Sequence, residues 1–253
     1  MTQRLEGKVA IVTGASRGIG AATARLAAQR GYRVCVNFRD NERAAQQVVD
    51  SIRATGGEAV SVQADVGVEA DVLRLFDACE VSFGALRALV NNAGILEAQM
   101  RLESMTAERM QRIFNTNVIG TMLCAREAAR RMSTRHGGQG GAIVNISSGA
   151  ARLGAPGEYV DYAASKGAVD TLTVGLSKEL AGDGIRVNAV RPGYIYTQMH
   201  ASGGEPGRVD RLKDQIPLRR GGTADEVAMA VLWLLSEEAS YTTGSFLDVT
   251  GGK

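Results

Sequence analysis

The chain reads as one α/β domain, a single parallel sheet covered by helices on both faces. Three observations predict it. Short apolar runs alternate with helical patterns of roughly 12–20 residues, and such strand–helix alternation builds parallel βαβ units. The first apolar run feeds directly into a glycine-rich turn and a helix. No Pro/Ser-rich linker or charge block divides the 253 residues, and 45% of them are hydrophobic, ample for one large core.

Lys8–Thr13 (Lys-Val-Ala-Ile-Val-Thr) is the first strand, and Gly14-Ala15-Ser16-Arg17-Gly18-Ile19-Gly20 the turn. Ala21–Arg30 follows as a helix of good formers, with Gly31 as its C-cap. Glycines at 14, 18 and 20 let the backbone turn sharply and let a pyrophosphate approach the helix N-terminus, where free N–H groups and the dipole favour anions. The spacing is Gly-x-x-x-Gly-x-Gly, only a loose match to the general dinucleotide fingerprint. Arg33–Phe38 is the second strand. In a doubly wound, Rossmann-like fold its end reaches the adenosine ribose, where a carboxylate would bind the 2′-hydroxyl and an arginine a 2′-phosphate. Asn37-Phe38-Arg39 offers no carboxylate before Asp40, and Arg17 lies in the glycine turn, so NADP(H) is favoured over NAD(H).

Asn41–Thr55 is helical and closed by Gly56-Gly57; Ala59–Gln63 is the third strand, ending at Ala64-Asp65-Val66, where a carboxylate suits an adenine amino group. A helix over Val68–Phe83 leads to the short strand Ala88–Val90 and to Asn91-Asn92-Ala93-Gly94. The helical region Thr106–Met132 contains Asn117, a poor interior residue, either tolerated at small cost or used to hold a bend and a water. His136–Gly141 is an exposed turn, Ala142–Ile146 a fifth strand with Ser147-Ser148 at its end, and Ile185–Val190 a sixth strand entering Arg191-Pro192-Gly193-Tyr194-Ile195-Tyr196-Thr197. The segment of about 194–220, polar and broken by Gly and Pro, suits a lid. Thr223 to Glu226 forms a capping box for a helix to Leu235, and Gly244–Val249 is the last of about seven strands.

Tyr162-Ala163-Ala164-Ser165-Lys166 opens a long helix to about Leu180, and residues four apart share a face. A fixed ammonium beside a phenol stabilises the phenolate and makes tyrosine usable as an acid/base near neutrality. Tyr159 has Ala163 four residues on and lacks that partner.

A formal charge of +2 argues against a nucleic-acid or membrane surface. Cys35, Cys79 and Cys124 read as free thiols of a reducing compartment, and with no signal peptide the expected location is cytoplasmic. His136 and His200 are the only histidines, too few for a metal cluster.

In order and spacing, Thr13-Gly14-x-x-x-Gly18-x-Gly20, Asp65, Asn91-Asn92-Ala93-Gly94, Asn117, Ser148, Tyr162-x-x-x-Lys166 and Pro192-Gly193 resemble the classical short-chain dehydrogenases/reductases over residues 5–251. The resemblance implies a hydride-transferring oxidoreductase acting on a small alcohol or carbonyl substrate, with Tyr162 as acid/base and Ser148 orienting the substrate oxygen. Lys166 would hold the nicotinamide ribose and Asn117 a relay water. It assigns the pyrophosphate to Thr13 and to residues 14–20 (Gly14, Ser16, Arg17, Gly18, Ile19, Gly20), the adenosine to Asn37, Arg39, Asp65, Val66, Asn91, Ala93 and Gly94, and the carboxamide region to Pro192, Gly193, Ile195 and Thr197. The interval from Ser148 to Tyr162 is one residue longer than the usual family spacing, which leaves Ser147 and Ser148 as rivals. The family also implies a homotetramer. Glucose dehydrogenases and 3-oxoacyl carrier-protein reductases are its nearest kinds, and the lid hides the substrate. A non-catalytic NADP(H)-sensing protein is the alternative; it would have no need of the acid/base set.

Overall fold

The computed structural model describes residues 7–253. Its strands are β1 (Val9–Val12), β2 (Arg33–Phe38), β3 (Ala59–Gln63), β4 (Leu86–Asn91), β5 (Gly141–Ile146), β6 (Ile185–Pro192) and β7 (Phe246–Val249). They form one sheet in the order β3–β2–β1–β4–β5–β6–β7, every pairing parallel. The predicted seven-stranded doubly wound sheet is therefore the observed one. Strand order reverses between β1 and β4, and open parallel sheets hold their ligands outside the strand ends at such a switch.

Both faces are covered, so strand residues point alternately into two apolar layers. Ala10 and Val12 of β1 face one layer with α1 (Gly18–Gln29), α2 (Glu42–Ala54) and α10 (Ala224–Leu235). Val9 and Ile11 face the other, built on α3 (Glu69–Phe83), α5 (Gly120–Met132) and the flank of α7 (Val160–Glu179). Thr223 and Glu226 form the predicted capping box at the start of α10.

Three local features differ from expectation. The region predicted as one helix over Thr106–Met132 is α4 (Ala107–Phe114), a π-helical turn at Asn115–Ile119, and α5. A single π turn inside an α-helix commonly marks a functional position. A short helix α6 (Ala150–Leu153) fills the loop before α7, and α7 begins two residues ahead of Tyr162. The segment expected to form a lid carries two short helices, α8 (Met199–Ser202) and α9 (Arg208–Leu212). Among the described residues, no helix is long and apolar enough to cross a membrane.

Phe76 of α3 is fully buried in the second layer, whereas Val81 of the same helix is 89% exposed. Phe76→Ala is expected to destabilise the protein by about 3–5 kcal/mol, and Val81→Ala by less than about 0.5 kcal/mol. Urea unfolding followed by circular dichroism checks both.

Candidate active site

The sheet's carboxyl edge opens into a cavity of about 670 Å³ that runs from the β2 terminus to α8 and α9. At one end the glycine turn lies flat because Gly14 and Gly18 take the left-handed region (φ 60° and 56°). A Cβ on Gly20 would sit 2.5 Å from Asn92 Nδ2 and 2.6 Å from the Gly14 carbonyl oxygen, so only glycine fits. The turn is held by side chains from neighbouring strands. Asn37 Oδ1 accepts the Gly14 N–H (3.0 Å), and its Nδ2 donates to the Ala64 carbonyl (3.0 Å). Asn92 Nδ2 donates to the carbonyls of Thr13 and Gly14, while the Thr13 hydroxyl accepts from Asn92 and Ala93. Asn37 and Thr13 thus shape the cradle as well as bordering or backing it.

Of the predicted nucleotide residues, Gly14, Ser16, Arg17, Gly18, Ile19, Asn37, Arg39, Asp65, Val66, Ala93, Gly94, Pro192, Gly193, Ile195 and Thr197 border the cavity. Gly20 and Asn91 stand behind its wall. Asn91 is buried and donates to Asn145 Oδ1 (2.9 Å), and Asn145 donates on to Thr173 of α7 (2.9 Å). Strand alternation explains this: Asn91, the last residue of β4, points back into the sheet, and Asn92 faces the turn. Arg17 and Arg39 are exposed at the β2 end, and Arg39 is paired with Asp40 (2.8 Å).

Toward the middle of the cavity stand Ser148, Tyr162 and Lys166. Lys166 is buried, its Nζ donates to the carbonyl of Ile146 (2.7 Å), and it lies 5.7 Å from the Tyr162 ring centroid. Ser148 is the serine close enough to act on the Tyr162 hydroxyl, and its own hydroxyl accepts the Ala150 N–H (3.1 Å). Ser147 is instead buried and donates to the Lys166 carbonyl (3.3 Å). The geometry therefore brings Ser148, not Ser147, to the phenol. Burial raises the Tyr162 pKa above the ordinary phenol value, and Ser148 opposes the rise. Burial lowers Lys166 to about 8, with Asp170 opposing. Burial is the leading cause at both groups, so the phenol is raised rather than lowered as its pairing with a lysine suggests.

Both ends of the Tyr162 residue are tied. Its N–H donates to Asp161 Oδ1 (2.8 Å) and its carbonyl accepts from Ser165 (2.7 Å). Ser165 in turn accepts from Asn117 Nδ2 (3.0 Å). Asn117, fully buried in the π turn, also spans both polar atoms of the Ile95 backbone (2.8 and 3.1 Å). Asn117 does not border the cavity; it joins the loop after β4 to α7.

The far end of the cavity is bordered by residues of the segment 194–220. Tyr159 borders it and donates to the Gly203 carbonyl (3.3 Å). Sequence reasoning missed Arg208 and His200, since nothing local marks one arginine or histidine in a polar segment. Arg208 is buried, ion-paired with Glu158 and Glu205, and stacked near the Tyr159 and Tyr194 rings (5.2 and 5.6 Å). Burial and Arg208 hold the His200 pKa below its usual value. His200 Nε2 lies 3.1 Å from the Ile195 carbonyl; that oxygen can only accept, so Nε2 carries the proton and Nδ1 keeps a free lone pair.

A lysine whose pKa falls from 10.5 unfolded to about 8 folded binds fewer protons in the native state between those values. The unfolded state then holds the extra proton, so stability rises with pH across the window of about 8–10.5. Wild type is expected to gain up to about 3 kcal/mol relative to Lys166→Met across it. Urea titrations at pH 7.5, 9 and 10 check this, and parallel curves would contradict it.

A family model described as Enoyl-(Acyl carrier protein) reductase matches residues 14–253. The uncharacterized oxidoreductase YgfF of Escherichia coli (strain K12) is 62% identical over 245 residues, 97% of this chain and 99% of the relative. Glucose 1-dehydrogenase 2 of Bacillus subtilis (strain 168) is 40% identical over 253 residues, 100% of this chain and 96% of the relative. A crystal structure of a short chain dehydrogenase from Burkholderia cenocepacia J2315 in complex with NADP superposes with a TM-score of 0.91 at 35% identity, covering 99% of each chain. With the fold and the ordered motifs above, these similarities place the chain in the classical short-chain dehydrogenase/reductase family of oxidoreductases.

Proposed function

We propose that this protein is an NADP(H)-dependent oxidoreductase that interconverts a small alcohol and the corresponding carbonyl compound, with Tyr162 as proton donor and acceptor. The observation that carries the reading is the convergence of Ser148, Tyr162 and Lys166 in the middle of one cavity, beside a glycine-built cradle.

The residues present fit a dinucleotide. A Cβ on Gly94 would come 3.5 Å from Lys166 Nζ, and one on Gly18 would come 3.5 Å from Thr197, so bare backbone leaves room for a ligand there. Residues 14–20 would receive the pyrophosphate at the N-terminus of α1. Asp65 and Val66 would border the adenine, and Pro192, Gly193, Ile195 and Thr197 the nicotinamide end. Arg17 and Arg39 would take a 2′-phosphate. The Arg39–Asp40 pair is solvent-exposed and weak, so Arg39 can exchange Asp40 for a phosphate at little cost. When bound, the nicotinamide supplies or accepts the hydride. Tyr162 gives its phenolic proton to the carbonyl oxygen in reduction, or removes it from the alcohol in oxidation. Ser148 donates to that same oxygen and fixes its direction. The Lys166 ammonium favours the transient phenolate as charge develops. Asn117, through Ser165, holds the loop and the helix in register. The segment 194–220 serves as a lid over the substrate end, and the homotetramer implied by the family resemblance remains part of this reading. The substrate is a sugar, a 3-oxoacyl thioester or another alcohol or carbonyl compound, the first two being the kinds in the names of the relatives Glucose 1-dehydrogenase 2 and 3-oxoacyl-[acyl-carrier-protein] reductase FabG.

The test is NADPH and NADH oxidation against ketones and 3-oxoacyl thioesters, with sugars run in the oxidative direction. Tyr162→Phe is expected to lower turnover by about 100-fold or more, the usual scale for losing an acid/base group. Arg39→Ala is expected to weaken NADPH by about tenfold and leave NADH unchanged. Equal use of both cofactors, unaltered in Arg39→Ala, would contradict the cofactor assignment.

A further inference from the structure

The helix that presents Tyr162 starts without a conventional cap. Tyr159 stands at the N-cap position and makes no side-chain bond to the helix. The first N–H groups of a helix need partners, and Asp161 supplies one from within the first turn, where Oδ1 accepts the Tyr162 N–H (2.8 Å). The helix dipole favours a carboxylate there. The Asp161 side chain is only 1% exposed, however, and an isolated carboxylate at such depth is strongly disfavoured.

Arg109 of α4 removes that cost. Its Nε donates to Asp161 Oδ2 (2.7 Å) and its Nη2 to Oδ1 (3.3 Å), while Nη1 donates to the Ala98 carbonyl (2.6 Å). The guanidinium is buried too. A buried ion pair adds little stability over an apolar replacement, whereas losing one partner strands a charge. Its contribution here is geometric: one arginine joins α4, the loop after β4 and the first turn of α7. The other groups around this part of the cleft are Ser148 beyond β5, Lys166 and Asp170 on α7, His200 on α8, Tyr159 and Glu158 ahead of α7, and Arg208 on α9 with Glu205. Arg208 is balanced by Glu158 and by Glu205, the latter shared with Arg211, as Asp161 is by Arg109.

We propose that the Arg109–Asp161 pair is the positioning element of Tyr162: it caps the helix at the Tyr162 amide and, as a neutral pair, leaves no unbalanced charge in the first turn that carries the phenol. The proposal rests on the reading of Tyr162 as the acid/base. It makes a prediction of sign that a merely structural brace does not. Arg109→Gln leaves the Asp161 carboxylate unbalanced and raises the phenol titration midpoint; Asp161→Asn leaves the Arg109 guanidinium unbalanced and lowers it. Each shift is about 0.5 pH unit or more, and the double variant, again neutral, returns to within about 0.3 unit of wild type.

The measurement is the titration of full-length protein labelled with 13Cζ-tyrosine, the Tyr162 signal being the one missing in Tyr162→Phe. A variant signal still protonated at a pH where the wild-type signal has titrated counts as an upward shift. Opposite shifts in the single variants, cancelled in the double, support the proposal. Single variants that do not move, or that move in the same direction, overturn it. Where a single variant fails to fold, Arg109→Lys carries the test. It keeps the charge but loses the two-nitrogen fork, so the midpoint holds while the Tyr162 amide exchanges about tenfold faster or more. Unchanged exchange would overturn the proposal. The assay of NADPH-dependent turnover runs alongside. Turnover that survives Tyr162→Phe sinks the acid/base reading and leaves the titration of the pair intact. Turnover that needs Tyr162, with both single variants titrating as wild type, sinks the positioning role alone.

Discussion

The interaction on which the rest of this structure depends is the hydrogen bond from Lys166 Nζ to the carbonyl of Ile146, 2.7 Å, at the carboxyl end of β5. An ammonium is strongly disfavoured in the interior, and here it is held against the end of a central strand with its pKa lowered to about 8. The position fixes where α7 crosses the sheet edge. One helical turn back, Tyr162 is then carried to the strand terminus beside Ser148. Ser147, next in sequence, turns inward and anchors the same helix through the Lys166 carbonyl. One crossing therefore fixes the lysine, the tyrosine and the choice between two serines.

That crossing is reinforced from behind. A polar chain of Asn91, Asn145 and Thr173 runs through the buried sheet edge into α7. On the other flank, the rod formed by α4, the π turn and α5 reaches α7 twice, through Arg109 to Asp161 and through Asn117 to Ser165. The π turn belongs to this logic. It interrupts the helical register where Asn117 uses its side chain to bond both the Ile95 backbone and Ser165. Polar groups buried this completely stabilise little beyond an apolar core, but they specify one arrangement.

Much of this was legible in the sequence. The βα alternation gave the parallel sheet, because a chain must cover both faces and alternate layers to do so. Residue spacing placed Tyr162 and Lys166 together, since one helical turn is a local property. What stayed hidden was set by partners distant in sequence. Arg109 and Asp161 lie on different helices, and Arg208 finds Glu158 only through the fold of the lid. Nor could adjacency tell that Asn91 faces the sheet while Asn92 faces the glycine turn, because the end of β4 decides the direction of each. The electrostatics were misjudged for a related reason. Pairing a phenol with a lysine lowers its pKa only where that attraction exceeds the desolvation penalty, and the depth of Tyr162 and Lys166 that sets the penalty is a property of the assembled fold.

The central claim is spatial: one cleft brings a nicotinamide, a substrate oxygen and the Tyr162 phenol together. A crystal structure of the complex with NADP(H) tests it most directly. The account predicts the pyrophosphate along Gly14–Gly20, the nicotinamide between Ile195 and Lys166 with its reactive face toward Tyr162, and a 2′-phosphate between Arg17 and Arg39. A nucleotide bound with its nicotinamide turned away from Tyr162, or with its phosphates remote from the glycine turn, would contradict it.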